Sequence, residues 1–249
     1  MSAVARATLD RGGAERPTTT RVLQALGTVF DPELDEPITK LGFVSSCDVS
    51  QDGEVEIALR LPTPQCAPNF AFLMAADARR AVSRLPEVRG VKVRLQDHYT
   101  GEEINAAIRQ DAGFTAAFPG ETGDDDLQKL RELFVRKALV ARQSRVCEAL
   151  VAHGHSAQDI TARRVADLED SPEVRRCLQL RAQLGLPCDA GAAAFVLPDG
   201  APVRATDLKR WLRTARLVRM SLEVNGGICR SLLRNRYGVT IEDPEEVVR

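Results

Sequence analysis

The fold is decided by residues 54–82, which read EVEIALRLPTPQCAPNFAFLMAADARRAV. Up to residue 61, large apolar side chains alternate with polar or small ones, the pattern of a strand with one buried face. From Phe70 onward the apolar residues recur every three or four positions, which predicts a helix with one buried face. The residues between them, 62–68, contain three prolines and Cys66. The stretch therefore predicts a strand, a stiff loop and a helix, with Cys66 just before the helix begins.

The segments on either side complete a small domain. Asp52-Gly53 is a strong turn signal and predicts that residues 41–49 form a hairpin with the strand that follows. Residues 91–95 alternate as a third strand. A first helix is expected from Thr19 or Thr20 to Asp31-Pro32, and Thr100–Glu103 is typical of a capping box that opens a short last helix. The predicted order is αββαβα, an α+β domain with a small three-stranded sheet and helices packed on one face.

Changes in composition divide the chain of 249 residues into four parts. Residues 1–17 lack the apolar stretch of a secretory signal and are predicted to form a disordered arm. Residues 18–110 form the α+β domain. Residues 111–126 mix glycines, a proline and an acidic cluster, which is typical of a linker. Residues 127–249 have mainly helical patterns and are predicted to form a mainly α-helical domain of unknown type.

The overall composition excludes several classes of protein. The net charge is −1 and aromatic residues are only 4%, which argues against nucleic acid as a partner. No apolar run approaches the roughly 20 residues that span a bilayer, so no membrane partner is expected. The six cysteines are widely spread without a C-x-x-C pair, which argues against a zinc ribbon or a disulfide framework. A cytoplasmic protein is expected, and each cysteine has to be judged alone.

Cys66 is the residue whose position favours chemistry. The first N–H groups of a helix have no partner within the helix, and the aligned peptide dipoles place roughly half a positive charge there. A thiolate is stabilised at such a place, and the thiolate is the form that binds metals and attacks electrophiles. The flanking prolines stiffen the loop and present the sulfur. The alternative is a small apolar side chain packed in the core, the common fate of a free cysteine.

Two motifs resemble a known family. Asp31-Pro32-Glu33 followed by residues 38–44 resembles the opening signature of the SufT and PaaD-type iron–sulfur assembly proteins, and residues 63–66 resemble their cysteine loop. The resemblance covers about residues 18–110. It implies a maturation factor that acts as an adaptor or carrier, transient binding of iron or an iron–sulfur cluster, and an apo-protein client or other assembly factors as partners. Members usually have proline directly after the cysteine, where this chain has Ala67.

The variant Cys-Ala-Pro-Asn-Phe-Ala, residues 66–71, also resembles longer relatives associated with bacterial diiron monooxygenases. That weaker resemblance implies an accessory protein dedicated to the maturation of such an enzyme.

Further ligands are expected near Cys66, because clusters usually need about four protein ligands. Within the domain, Asp31, Glu33 and His98 are the candidate metal ligands. The alternatives are a hydrogen-bonding or surface role for His98 and a turn-capping role for Asp31. A partner, a small thiol or a homodimer that shares ligands would also complete the set.

The last predicted helix carries a basic face with Lys209, Arg213, Arg216 and Arg219. This face is either solvated or a docking surface for an acidic partner, such as an apo-enzyme or acidic loops of a second subunit. Cys229 follows Gly226-Gly227, where a helix kink is expected.

The leading hypothesis is an assembly factor or adaptor rather than an enzyme. One alternative is an interaction or regulatory protein that acts through the basic helix. The other is a thiol enzyme, which needs a base such as His98 within about 3 Å of Cys66.

Overall fold

The computed structural model describes residues 16–121 and 123–239, so the predicted arm at residues 1–17 lies almost wholly outside the described residues. The first part of the chain forms a small sheet with helices. Its elements are α1 (Thr19–Leu26), β1 (Phe30–Asp31), β2 (Glu36–Pro37), β3 (Val44–Val49), β4 (Glu54–Arg60), α2 (Pro68–Ser83), β5 (Gly90–Gln96) and α3 (Gly101–Arg109). The predicted fold class, an α+β region followed by a mainly helical one, is confirmed.

The main sheet has the strand order β3-β4-β5. β4 lies in the centre, antiparallel to β3 and parallel to β5, with Val55 opposite both Val49 and Val91. The hairpin between β3 and β4 closes at Gly53, whose φ of +83° suits the turn that Asp52-Gly53 predicts. The parallel pairing of β4 and β5 requires a crossover, which α2 supplies. The Cys66 loop is the first segment of this crossover.

The expected end of the first helix is wrong. α1 ends at Leu26 with Gly27 as its C-cap, whereas the sequence pattern extended it to Asp31-Pro32. Phe30 instead pairs with Pro37 in a two-stranded ladder between β1 and β2. The physical reason is a non-local hydrogen bond, because the Ile38 N–H donates to the Val29 carbonyl at 2.9 Å and draws the segment into a hairpin.

The remaining chain is mainly helical. It contains α4 (Phe114–Ala117), α5 (Asp124–Ala152), α6 (Ala157–Ala162), a 3₁₀ turn (Val165–Asp167), α7 (Pro172–Gln183) and α8 (Leu208–Tyr237). Within the predicted linker, Phe114 and Ala117 are buried in the core of the α+β region, and the acidic cluster forms the first turn of α5. Acidic side chains are favourable at that helix end. No helix in the described part of the chain has the length and apolar character needed to cross a membrane.

Helix α8 connects the two regions. Its first turns pack Leu208, Trp211 and Ala215 into the core of the helical region. Further along, Leu233 is fully buried in the core of the α+β region. A single helix of 30 residues therefore contributes to both cores.

A buried cluster of ion pairs joins the same two regions. Asp35, in the turn between β1 and β2, accepts hydrogen bonds from Arg142 of α5 at 2.7 Å and from Arg176 of α7 at 2.5 Å. The Arg176 guanidinium also lies over the Phe30 ring, 3.5 Å from its centroid. The turn that follows β1 is thus fixed to the helical region by charge-assisted hydrogen bonds.

Candidate functional site

The Cys66 side chain is half-buried at the start of α2. The backbone N–H of Cys66 donates to the Thr63 carbonyl at 3.4 Å, and the Cys66 Sγ lies 3.4 Å from Thr63 Oγ1. α2 begins at Pro68 with Ala67 as the N-cap, and no side chain caps it and no acidic residue lies in its first turn. The positive end of the helix dipole therefore faces the loop that carries the sulfur, as the sequence predicts.

His98 fixes the backbone of this loop. Its Nε2 lies 2.7 Å from the Cys66 carbonyl oxygen, and its Nδ1 lies 3.3 Å from the Thr100 N–H nitrogen. Because Nδ1 accepts from a backbone N–H, the proton of the neutral ring belongs on Nε2, which donates to the carbonyl. Burial lowers the pKa of His98 and outweighs the opposing effect of that carbonyl. His98 is therefore a neutral ring with both nitrogens in use.

This arrangement has two consequences for the sequence-based expectations. The Thr100 hydroxyl is hydrogen-bonded to His98 Nδ1 at 3.1 Å, and no side-chain hydrogen bond caps the start of α3. The predicted capping box of Thr100 and Glu103 is therefore wrong. Neither ring nitrogen of His98 is hydrogen-bonded to the Cys66 sulfur, so the ring is not positioned to take a proton from the thiol. The geometry does not support the thiol-enzyme alternative.

Asp31 forms the turn that follows β1. Its Oδ1 accepts hydrogen bonds from the backbone N–H groups of Glu33 and Leu34, both at 2.8 Å. Burial raises the pKa of Asp31 to about 6, although these two hydrogen bonds act to lower it. Asp31 thus has the turn-capping role that the sequence left open, while Glu33 is half-buried beside it. Whether either residue also contacts a metal stays a prediction.

Cys229 of α8 is a residue that the sequence reasoning did not connect with this site. Burial raises the pKa of its thiol to about 12, and the negative charges of Asp31, Cys66 and Glu33 raise it further. Cys229 and Cys66 pack against the same core, that of the α+β region, and three of the four predicted metal ligands lie within electrostatic reach of the Cys229 thiol. The sequence signal was weak. Cys229 precedes the buried Leu233 by one helical turn, which indicates burial but not in which core.

Hydrogen bonds on both sides of Cys229 attach α8 to the site. Arg230 donates to the Glu36 carboxylate at 2.8 Å, next to the Asp31 turn. Tyr237 donates its hydroxyl to Asp97 Oδ2 at 3.2 Å, next to His98. The C-terminal half of α8 therefore contacts the turn between β1 and β2 and the segment that carries His98.

The described side chains do not form a complete metal site. Among residues 16–121 and 123–239, no group of three or more His, Cys, Asp or Glu residues is arranged to hold a metal ion. Any metal or cluster at Cys66 would need ligands from another molecule or from a rearranged site.

The predicted partner-binding residues on α8 fall into two pairs. Arg216 and Arg219 form ion pairs with Glu148 of α5 at 2.5 and 2.9 Å, so they hold two helices of the chain together. Lys209 and Arg213 are exposed and make no ion pair with any described residue. The structure thus leaves this second pair available to another molecule.

The fold and the site define a small α+β protein that presents one thiol at a helix N-terminus, extended by a helical region. Residues 19–95 match the family model described as iron-sulfur cluster assembly protein. The chain belongs to this family through its α+β region, which confirms the resemblance seen in the two sequence motifs.

Three relatives are 33% to 39% identical to parts of this chain, and the names of two of them refer to iron–sulfur proteins. An Fe-S protein maturation auxiliary factor of Porphyromonas gingivalis is 35% identical over 30% of this chain and 69% of its own length. An uncharacterized protein of Methanocaldococcus jannaschii is 33% identical over 36% of this chain and 92% of its own length. An iron-sulfur cluster carrier protein of Mycobacterium tuberculosis is 39% identical over 28% of this chain, but only 18% of that protein is covered.

Proposed function

We propose that the protein is a maturation factor for iron–sulfur proteins that acts as an adaptor or transient carrier, with Cys66 as the residue that contacts the cargo. The observation that carries the proposal is the half-exposed Cys66 sulfur at the uncapped N-terminus of α2. The family match and the names of the maturation factors and carrier protein among its relatives support it.

The incomplete ligand set fits a carrier better than a resident metal centre. A cluster held by one thiolate and one or two further side chains keeps open positions that a client's cysteines can fill. Asp31 and Glu33 are the proposed additional ligands, together with the neighbouring Cys229. His98 would act as a ligand only after releasing Thr100 or the Cys66 carbonyl, so we assign it to holding the loop in the apo-protein.

The test is anaerobic reconstitution of the full chain with iron and sulfide, followed by absorbance spectroscopy and metal analysis. Wild-type protein is expected to develop a chromophore that the Cys66→Ser variant lacks. Cys188→Ser is the matched control, because Cys188 is also half-buried but its thiol is bonded to the Leu178 and Leu186 carbonyls. Equal colour in all three proteins would refute a role for Cys66 in holding the cargo.

The proposed client is an apo-protein, and the resemblance of residues 66–71 favours a diiron monooxygenase. The experiment is coexpression of such an enzyme with wild-type or Cys66→Ser protein, with the iron content and activity of the purified enzyme as readouts. A colourless protein that still restores the enzyme would favour a pure adaptor. An enzyme that matures equally well without the protein would refute this client. A cytoplasmic location and a homodimer are part of the same proposal.

A second candidate function is docking of an acidic partner through α8. It is favoured by the exposed, unpaired side chains of Lys209 and Arg213 within the described chain. Charge reversal at these two positions is expected to abolish copurification of such a partner, whereas Cys66→Ser leaves it intact. The opposite dependence would refute this second function.

A further inference from the structure

A cavity of about 380 Å³ lies where the α+β region meets the helical region. Its walls are the segment around β1, the C-terminal end of α2, the first half of α5 and one face of α7. This volume falls within the range of about 300–1,000 Å³ that is usual for small-molecule sites. Because two of the three helices belong to the helical region, the cavity depends on how that region packs against the α+β region.

Charged side chains from every wall line the cavity. The guanidinium groups are those of Arg80 and Arg84 from the end of α2, Arg131 from α5 and Arg176 from α7. The carboxylates are those of Asp31, Asp35 and Asp77. Positive groups therefore outnumber negative ones in the wall, and the question is which of them still have hydrogen-bonding capacity.

The carboxylates already accept hydrogen bonds from the chain itself. Asp77 accepts from Arg131 at 2.5 and 3.2 Å. Asp35 accepts from Arg142 and Arg176, and Asp31 accepts from two backbone N–H groups. The wall therefore does not offer a set of free carboxylates, and it is poorly suited to a cation.

The guanidinium groups at the end of α2 have donors to spare. Arg84 is the C-cap residue of α2, and its side chain makes no hydrogen bond or ion pair with another described residue. Arg80 lies four positions earlier, on the same side of the helix, and its contact with Asp77 is 3.3 Å long. Since Asp77 is shared with Arg131, two guanidinium groups at the cavity mouth are left with at most one carboxylate between them. They suit an anion rich in acceptor oxygens.

The inner part of the wall is apolar. Ala138 and Leu180 are 3% and 0% exposed, and Phe134 and Ala81 lie beside them in the wall. Binding sites for small molecules commonly combine such apolar walls with a few charged groups that fix the orientation of the ligand. A bare inorganic anion has no apolar surface to place here. The ligand that fits has an anionic group and an apolar body.

We propose that this cavity binds a small organic phosphate, with the phosphate group at Arg80 and Arg84 and the apolar body against Phe134 and Leu180. A phosphate monoester has three acceptor oxygens and nearly two negative charges at neutral pH, which suits two guanidinium forks better than a carboxylate does. Arg80 is 63% exposed and Arg84 is exposed as well, so the phosphate lies at the mouth and the apolar body inside.

This site is separate from the one proposed for the iron–sulfur cargo. Cys66 is not among the described residues that line the cavity, so either site can be lost while the other is kept.

The first experiment titrates the full chain with 1-naphthyl phosphate and follows the fluorescence of the naphthyl group. Saturable binding to wild type is expected, with a Kd at least about 10-fold higher in Arg80→Gln and in Arg84→Gln, because each removes hydrogen bonds to a charged group. Arg89→Gln is the matched control, since Arg89 is an exposed arginine of the same region outside the cavity wall. Absence of saturable binding to wild type, or an equal loss in the control, would overturn the proposal.

The second experiment compares ligands on wild-type protein by calorimetry. Inorganic phosphate lacks the apolar body, 1-naphthol lacks the anion and 1-naphthoate carries a carboxylate. Each is expected to bind at least about 10-fold more weakly than 1-naphthyl phosphate. Equal binding of 1-naphthol or of inorganic phosphate would show apolar adsorption or a simple surface-charge site and overturn the proposal. Equal binding of 1-naphthoate would overturn the choice of phosphate.

The third experiment fills the cavity without removing a charge. Ala81→Phe places a ring in the inner wall, and Gln183→Trp places one at an exposed position of the rim. Both are expected to lose 1-naphthyl phosphate binding while circular dichroism shows a folded protein. Gln183→Trp keeps the test decisive if Ala81→Phe does not fold, because it leaves the core untouched. Unchanged binding in a folded variant would place the ligand elsewhere and refute the cavity as its site.

Discussion

Replacement of Asp35 by asparagine tests how strongly the helical region is fixed to the α+β region. The side chain is 3% exposed, and its two carboxylate oxygens accept hydrogen bonds from Arg142 and Arg176. Arg142 also donates to the Asp35 carbonyl at 2.6 Å. Asparagine keeps the shape of the side chain and tolerates the left-handed φ of +52° found here. Asp35→Asn therefore removes the charge with little change in backbone strain.

The magnitude follows from what the substitution leaves behind. Removing one partner of a buried ion pair costs about 3–5 kcal/mol, because the remaining charge is buried without compensation. Burial acts to lower the pKa of Arg142, but the carboxylates of Asp35 and Glu173 outweigh it and raise the pKa. In the variant, Arg142 still forms its ion pair with Glu173 at 3.0 Å, and Arg176 still stacks on Phe30. We therefore expect a loss of stability at the lower end of this range, about 3 kcal/mol.

The assay is equilibrium urea unfolding of the full chain, followed by circular dichroism. Asp170→Asn is the control, because the Asp170–Arg175 pair has side chains that are 77% and 56% exposed and such pairs contribute little. Asp35→Asn is expected to lower the free energy of unfolding with an unchanged denaturant slope, and Asp170→Asn to leave it unchanged. If the two variants were equally stable, the proposed role of the buried cluster would be refuted.

Three further predictions concern single positions. Burial raises the pKa of Asp31 from 3.8 to about 6, so the contribution of this side chain to stability is full below about pH 4 and is lost as the pH rises through about 6. Over that range the free energy of unfolding of wild type should fall by about 3 kcal/mol relative to that of Asp31→Asn. A difference between the two proteins that stays constant with pH in urea unfolding would contradict this. Gly227→Ala should stabilise the protein by about 1 kcal/mol, since a Cβ atom there meets nothing within 4 Å. Gly226→Ala should not, because a Cβ atom there meets the Glu36 carboxylate, and equal melting temperatures of the two variants would argue against this difference. Burial raises the pKa values of Cys147 to about 11 and of Cys177 to about 12, so neither thiol should react with an alkylating reagent in native protein near pH 8. Mass spectrometry should find both unalkylated in native protein and alkylated after unfolding. Rapid labelling of the native protein would count against their burial.

The secondary structure around Cys66 was predictable because its determinants are local. The alternation in residues 54–61 appears as β4, Glu54–Arg60, and the helical spacing from Phe70 appears within α2, Pro68–Ser83. Each pattern can be recognised because the strand or helix has one buried face and one solvent-exposed face. The same reasoning predicted Cys66 at the helix N-terminus without knowledge of the tertiary structure.

The errors arose where distant groups compete with local ones. Thr100 is a residue type that commonly caps helices, but its hydroxyl is hydrogen-bonded to the His98 ring, so the local capping box is not formed. The segment after Leu26 could continue as a helix, but the Ile38 N–H binds the Val29 carbonyl and makes a hairpin. Such hydrogen bonds cannot be deduced from spacing, because they depend on which segments meet in the folded chain.

The same limit explains why Cys229 and the Asp35 cluster were not predicted. Asp35 meets Arg142 and Arg176 across 107 and 141 residues of sequence, so no local pattern connects them. Cys229 reaches the Cys66 site only because α8 extends from one core into the other. The candidate ligands named from the sequence were those close to the two family motifs, and the contribution of the helical region was missed.

The helical region distinguishes this chain from its short relatives at the site itself. The archaeal relative is aligned over 92% of its own length with only 36% of this chain, so little of that protein remains to form a counterpart of α5–α8. Here Arg230 binds Glu36 on one side of the site and Tyr237 binds Asp97 on the other. Because His98, next to Asp97, is hydrogen-bonded to the Cys66 carbonyl, the setting of the thiol depends on α8 as well as on the family fold. The family match alone therefore cannot specify how the Cys66 thiol is presented in this chain.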